Sequence, residues 1–159
     1  MGFLSYNPTD GQLIGRYEEH TGAEVERILD QSHKTWKTWS AAPLSERAAF
    51  LNRLADLLEA RVDEYAALIV SEMGKPFAEA QGEIKKSAFC ARHFAGDGLA
   101  YIADEPIPGT PAKIVYQSIG PIFGIMPWNL PFWQVLRFFI PAALIGNTVI
   151  VKHAETVQG

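Results

Sequence analysis

Four stretches of the chain repeat apolar residues at helical spacing, and only its last third runs apolar in the manner of strands. From Thr21, a side chain suited to an N-cap, Val25, Ile28, Leu29, Trp36 and Trp39 fall on one face of a helix predicted to reach about Ala41. Pro43 fits the first turn of a second helix, in which Phe50, Leu51, Leu54, Leu57 and Leu58 recur. A third, near Asp63 to Met73, presents Tyr65, Leu68, Ile69 and Met73, and Gly74 suits its C-terminal stop. Pro76 opens a long fourth helix, predicted to run to about Ala103 with Ile84, Ala88, Ala91 and Phe94 inward. Ahead of all four, Asn-Pro and Asp-Gly turn signals followed by Leu13-Ile14 predict a short hairpin within Phe3 to Tyr17.

The pattern changes after the proline-rich segment Asp104 to Pro111. Residues 112–119 alternate as a strand would, with Ile114, Tyr116 and Ser118 against Val115, Gln117 and Ile119. A branched apolar run from Ile122 to Met126 predicts a buried strand that Pro127 stops. Pro131 stands where a first-turn proline belongs, ahead of a helix from Phe132 to Ile145. Gly146-Asn147 ends that helix and Thr148 to Lys152 forms the next strand. This is one βαβ unit without a GxGxxG fingerprint, and Pro141 is expected to kink its helix.

Composition narrows the class. The 159 residues are 48% hydrophobic, ample for a core, and the net charge of −4 offers nothing to nucleic acid or an anionic membrane. A single cysteine excludes an internal disulfide and suits a reducing compartment. Residues 1–17 lack the basic-then-apolar plan of a signal peptide. From Ile119 to Val151 the only charged side chain is Arg137, yet Gln134, Asn129, Asn147 and prolines interrupt the run before it could span a membrane. A soluble, cytoplasmic protein is expected.

Asn129 lies at the strand-to-helix crossover, where open α/β sheets bind their ligands. A carboxamide there can donate to a developing oxyanion, or it can cap the following helix. Lys152 and Glu155 follow the second strand at the same sheet edge, as ligand contacts or as a solvated ion pair. Arg137 would be costly to bury unpaired, and its fork matches a carboxylate, either of a ligand or of an acidic side chain. Cys90, on an alanine-rich helical face, reads as a small buried hydrophobe rather than a nucleophile. His20, His33 and His93 show no metal-ligand spacing, and His153 is expected at the surface.

The run Ile125-Met126-Pro127-Trp128-Asn129-Leu130-Pro131, within 120–155, resembles the start of the cofactor-binding domain of aldehyde dehydrogenases, most closely those that oxidise succinate semialdehyde. Asn7-Pro8-Thr9-Asp10-Gly11 is similar to that family's opening, and Glu72-Met73-Gly74-Lys75-Pro76 to the end of its third helix. Several motifs occur in the right order at the right spacing. Family members are much longer, so the chain resembles an N-terminal third.

The resemblance implies an α/β fold: an N-terminal helical layer plus the first βαβ unit of a Rossmann-like parallel sheet, incomplete. Residues 1–111 would form the helical part, 112–119 a strand toward the oligomerisation sheet, and 120–159 the first βαβ unit. It implies oxidation of a small aldehyde to a carboxylate by a cysteine and a glutamate that this chain does not supply, in a homo-oligomer. Asn129 would be the oxyanion donor. Ile125, Met126, Pro127 and Trp128 would pass under the nicotinamide, and Lys152 and Glu155 would hold the adenosine ribose. A carboxylate at Glu155 favours NAD while leaving NADP open. Arg137 would clamp the substrate's distal carboxylate. These 159 residues alone are expected to be inactive, and a non-enzymatic interaction or subunit-association module stands as the alternative.

Overall fold

Turn chemistry sets the first element. The computed structural model describes residues 2–159. Strands β1 (Gly2–Tyr6) and β2 (Leu13–Glu18) pair antiparallel, closed by an Asn7–Asp10–Gly11 turn in which Gly11 takes a positive φ of 71°. The Asn7 carboxamide oxygen accepts from the Thr9 amide and an Asp10 carboxylate oxygen from the Gln12 amide, which is why these residues favour the turn.

Helix α1 (Gly22–Ala41) starts at the expected Thr21, and a reciprocal capping box with Glu24 satisfies its first amides. Its apolar face is only partly covered: no residue of α1 is buried, Val25 and Leu29 are exposed, and Ile28, Trp36 and Trp39 are half-buried. Helices α2 (Leu44–Ala60) and α3 (Val62–Met73) follow, the latter ended by Gly74 in the left-handed region at φ 77°. Helix α4 (Phe77–Ala95) is shorter than its periodicity predicts. The chain breaks at Gly96, whose amide is shared between the Arg92 and His93 carbonyls, and continues as a 3₁₀ turn over Asp97–Ile102. Leu51, Ala55, Ala66, Ile69, Ala80, Ile84 and Ala91, all at most 1% exposed, form the core where α2, α3 and α4 meet.

The strand expected over 112–119 is reduced to two residues. Strand β4 (Lys113–Ile114) pairs antiparallel with β3 (Glu105–Pro106), while Val115, Tyr116 and Ile119 are exposed. An extended segment without a neighbouring strand forms no ladder, and among the described residues no strand pairs with 115–119.

The βαβ unit forms as the pattern predicts. Strand β5 (Pro121–Ile125), helix α5 (Pro131–Ile145) and strand β6 (Thr148–Lys152) run in order, with β5 and β6 parallel and in register from Pro121↔Thr148 to Ile125↔Lys152. Pro131 is a first-turn proline and Gly146, at φ 104°, ends the helix. Asn147 does more than stop it: its Oδ1 accepts from the Ile119 and Gly120 amides at 2.8 and 3.2 Å and fixes the entry to β5. Ile140, Ala143 and Leu144 of α5 are buried, with Ile140 and Leu144 part of the main core. No helix among the described residues is long and apolar enough to cross a membrane.

Candidate functional site

The C-terminal edge of the two-stranded parallel sheet gathers most of the residues singled out from sequence. Ile125 lies opposite Lys152 in the register, and the Met126 amide donates to the Lys152 carbonyl at 3.0 Å. The chain then turns through Pro127, Trp128 and Asn129, all exposed, before Pro131 opens α5. Ile125 and Trp128 are 71% and 55% exposed, so residues 125–128 form an apolar strip beside the cationic Lys152. The buried-strand expectation for 122–126 fails on one face: Phe123 and Ile125 point outward, where no further strand or helix covers them.

Asn129 is not the cap of α5. The cap position belongs to Leu130, with φ −142° and ψ 71°, which makes no side-chain cap bond. Among the described residues the Asn129 carboxamide makes no hydrogen bond, although its main-chain carbonyl accepts from Lys75 Nζ at 3.2 Å. The local, structural use of the side chain is thereby removed, and a free amide donor stands at the sheet crossover.

The amides at the start of α5 are satisfied from another helix. Glu83 of α4 accepts from Phe132 and Trp133 through Oε1 at 2.9 and 3.0 Å, and its other oxygen pairs with Lys75. Both side chains are buried. Sequence reasoning missed both as parts of the site. The available signal was Glu83 itself, a charged residue inside the inward stripe of Ala80, Ile84, Ser87, Ala88 and Ala91. Glu72 interrupts the stripe of α3 similarly; it is buried, accepts from Ser5 Oγ at 2.6 Å and from the Gly159 amide, and ties the hairpin and the chain end to α3.

Lys152 and Glu155 lie 3.9 Å apart as an exposed pair, with Lys152 Nζ also 5.6 Å from the Phe3 ring centre. His153 is not at the surface. It is half-buried, with Nε2 3.2 Å from the Pro131 carbonyl, so it bridges the end of β6 to the start of α5. A cavity of about 340 Å³ opens beside this bridge, lined chiefly by Leu57, Tyr65, Phe132, Leu136, His153 and Val157. Asn129 and Lys152 lie outside that lining.

Arg137 is exposed on α5 and makes no ion pair among the described residues, so the structure does not spend it internally. The apolar run around it is therefore no obstacle to its charge. Cys90 is half-buried on α4, and burial pushes its thiol above the usual range, against a smaller opposing pull from Lys86. Burial that favours the neutral thiol agrees with reading Cys90 as a packing residue.

A nicotinamide dinucleotide suits this edge. Open parallel sheets bind such cofactors at the carboxyl ends of their strands, and here the exposed strip 125–128 and Lys152 offer apolar and cationic contacts side by side.

The aldehyde dehydrogenase family matches residues 2–158. A Synechocystis protein named probable succinate-semialdehyde dehydrogenase (NADP(+)) is 39% identical over 159 residues, which are 99% of this chain and 35% of that protein. The succinate-semialdehyde dehydrogenase (NADP(+)) of Deinococcus radiodurans is 34% identical, covering 96% of this chain and 32% of its own length. The crystal structure of succinic semialdehyde dehydrogenase from Streptococcus pyogenes, in complex with NADP+, superposes with a TM-score of 0.92 at 29% identity, over 98% of this chain and 35% of that one. The chain thus spans about a third of the length of the curated relatives it matches. An aldehyde-dehydrogenase fold over essentially every residue, with motifs in the family's order, means that the chain belongs to the aldehyde dehydrogenase family.

Proposed function

We propose that this chain is the N-terminal portion of a nicotinamide-dependent aldehyde dehydrogenase that oxidises succinate semialdehyde to the dicarboxylate. The single observation that carries the reading is the Asn129 carboxamide, without a hydrogen-bond partner among the described residues and placed at the C-terminal edge of a parallel sheet. A thiolate from outside these residues adds to the aldehyde carbon, and Asn129 donates its amide hydrogen to the oxygen as that oxygen becomes negative. The bound nicotinamide supplies a hydride acceptor. Loss of hydride from the carbon leaves a thioester, which water, deprotonated by a glutamate from outside these residues, cleaves to the acid.

Arg137 meets the substrate's distal carboxylate, for which its unspent guanidinium is suited. The cofactor preference moves from NAD to NADP. The relatives named above are NADP(+) enzymes, and Lys152 can meet a 2′-phosphate. Glu155, three residues on, opposes that phosphate and tempers the preference.

The experiment is a hybrid enzyme in which this chain replaces the matching third of the Synechocystis relative. It is expected to reduce NADP with succinate semialdehyde, whereas the 159 residues alone are expected not to. A folded hybrid that binds NADP but oxidises no aldehyde would overturn the assignment. Turnover at an enzyme-like rate by the 159 residues alone would overturn the division of labour.

A further inference from the structure

Helix α5 begins without a side-chain cap of its own, so the amides of its first turn need acceptors from elsewhere. Glu83 Oε1 takes two of them, from Phe132 and Trp133. A carboxylate at that end is also favoured by the helix dipole. Its second oxygen binds Lys75, and Lys75 donates again to the Asn129 carbonyl at 3.2 Å. Lys75 is 9% and Glu83 5% exposed, so the pair is built into the interface between α4 and the β5–α5 turn. A buried ion pair adds little net stability over an apolar pair of similar volume. What it adds here is placement.

We propose that the buried Lys75–Glu83 pair is the positioning device for Asn129 during aldehyde oxidation, an inference that rests on reading Asn129 as the oxyanion donor. The pair grips the chain at the Asn129 carbonyl and again at the amides three and four residues later. With the backbone held at those points, the carboxamide retains only its own side-chain torsions. Neither Lys75 nor Glu83 touches the reacting atoms; both act through the turn they hold. A displacement of the donor by about 1 Å costs on the order of 100-fold in rate.

The test uses the complete hybrid enzyme, carrying Glu83→Ala, Glu83→Gln or the apolar pair Lys75→Met with Glu83→Leu, each alone and combined with Asn129→Ala. Glu83→Ala and the apolar pair are expected to lower kcat about 100-fold while leaving the KM for NADP within about twofold. Glu83→Gln keeps an acceptor for both amides and is expected to recover most of the rate. In the Asn129→Ala background none of these changes should lower kcat further, because groups that act as a unit are not additive. A full additional loss in that background, or an unchanged kcat in Glu83→Ala, overturns the proposal and leaves Asn129 standing. An unchanged kcat in Asn129→Ala overturns the oxyanion reading and this proposal together. Should Glu83→Ala fail to fold, the apolar pair, which leaves no charge buried, decides.

Discussion

The helices α2 to α4 and the β5–α5–β6 unit bury their apolar residues to very different extents. In the first region Leu51, Ala55, Ile84 and Ala91 are fully enclosed, in a core to which α5 also contributes. In the second, a two-stranded parallel sheet leaves Phe123 at 60% and Ile125 at 71% exposure, although such sheets are normally covered on both faces. Helix α5 mediates between them. Its Ile140 and Leu144 join the enclosed core, and bare apolar surface lies on β5 and α1, with single exposed residues such as Phe89 elsewhere. The enclosed region therefore serves as the base, and the open region carries the groups proposed to meet ligand. Lys75 and Glu83 are the buried polar contacts by which the base reaches the β5–α5 turn.

The largest effect should separate the two regions by stability. Leu51→Ala removes a fully buried side chain and is expected to cost about 3 kcal/mol, whereas Phe123→Ser should change stability by no more than about 0.5 kcal/mol. Urea unfolding of each variant measures the contrast, and Phe123→Ser should also reduce binding of a hydrophobic dye. Equal destabilisation would mean that the sheet end is as enclosed as the helices.

Asn129→Ala should reverse that pattern. Its side chain holds nothing in place, so the unfolding midpoint is expected to stay where it is, while kcat of the hybrid enzyme falls by about 3 kcal/mol of barrier. A lowered midpoint with normal turnover would return Asn129 to a structural role. Arg137→Gln comes next, at about 2 kcal/mol, because a charged hydrogen bond to the substrate is lost. That appears as a roughly 30-fold higher KM for succinate semialdehyde and no change for an uncharged aldehyde of similar length. A parallel rise for both substrates would exclude a carboxylate clamp.

Much of this arrangement was legible in the residues themselves, and unevenly so. Helix starts at Thr21 and Pro131 and stops at Gly74 and Gly146 follow from local chemistry, which needs only the neighbouring residues to act. The end of α4 was misread because apolar spacing continues past Gly96, and only the shared amide contacts there show the break. The 112–119 strand was over-read because alternation reports a suitable side-chain pattern, while a ladder also requires a partner. Asn129 and Lys152 could be placed at one edge because β5 and β6 end there. Glu83 could not be placed, since its role depends on the packing of α4 against α5, forty-nine and fifty residues apart in sequence from the amides it accepts. The half-buried place of His153 is hidden from the sequence for the same reason: its partner, the Pro131 carbonyl, lies twenty-two residues away.

At the cofactor end the expected effect is smaller. Glu155→Gln removes one negative charge beside the position proposed for the 2′-phosphate, and a single such charge in a solvated setting is worth about 1 kcal/mol. The ratio of kcat/KM for NADP to that for NAD should rise about fivefold. An unchanged ratio would place the adenosine ribose away from Glu155.

The smallest effect belongs to the enclosed region and concerns Cys90, whose burial, against a lesser pull from Lys86, favours the neutral thiol. Its value in the folded chain lies above that in the unfolded chain, so the folded state holds the proton more tightly. The associated stability is complete below the unfolded thiol value, about 8.5, and is lost as pH rises through the folded value. Cys90→Ala should therefore unfold at a constant offset from the parent chain between pH 6 and 8, with the parent losing ground only above about pH 9. Iodoacetamide should also modify the folded thiol more slowly than free cysteine at pH 8, since only the thiolate reacts. An offset that changes below pH 7, or alkylation faster than that of free cysteine, would reveal an activated thiolate. Cys90 would then belong with the chemical groups of the open edge rather than with the packing of α4.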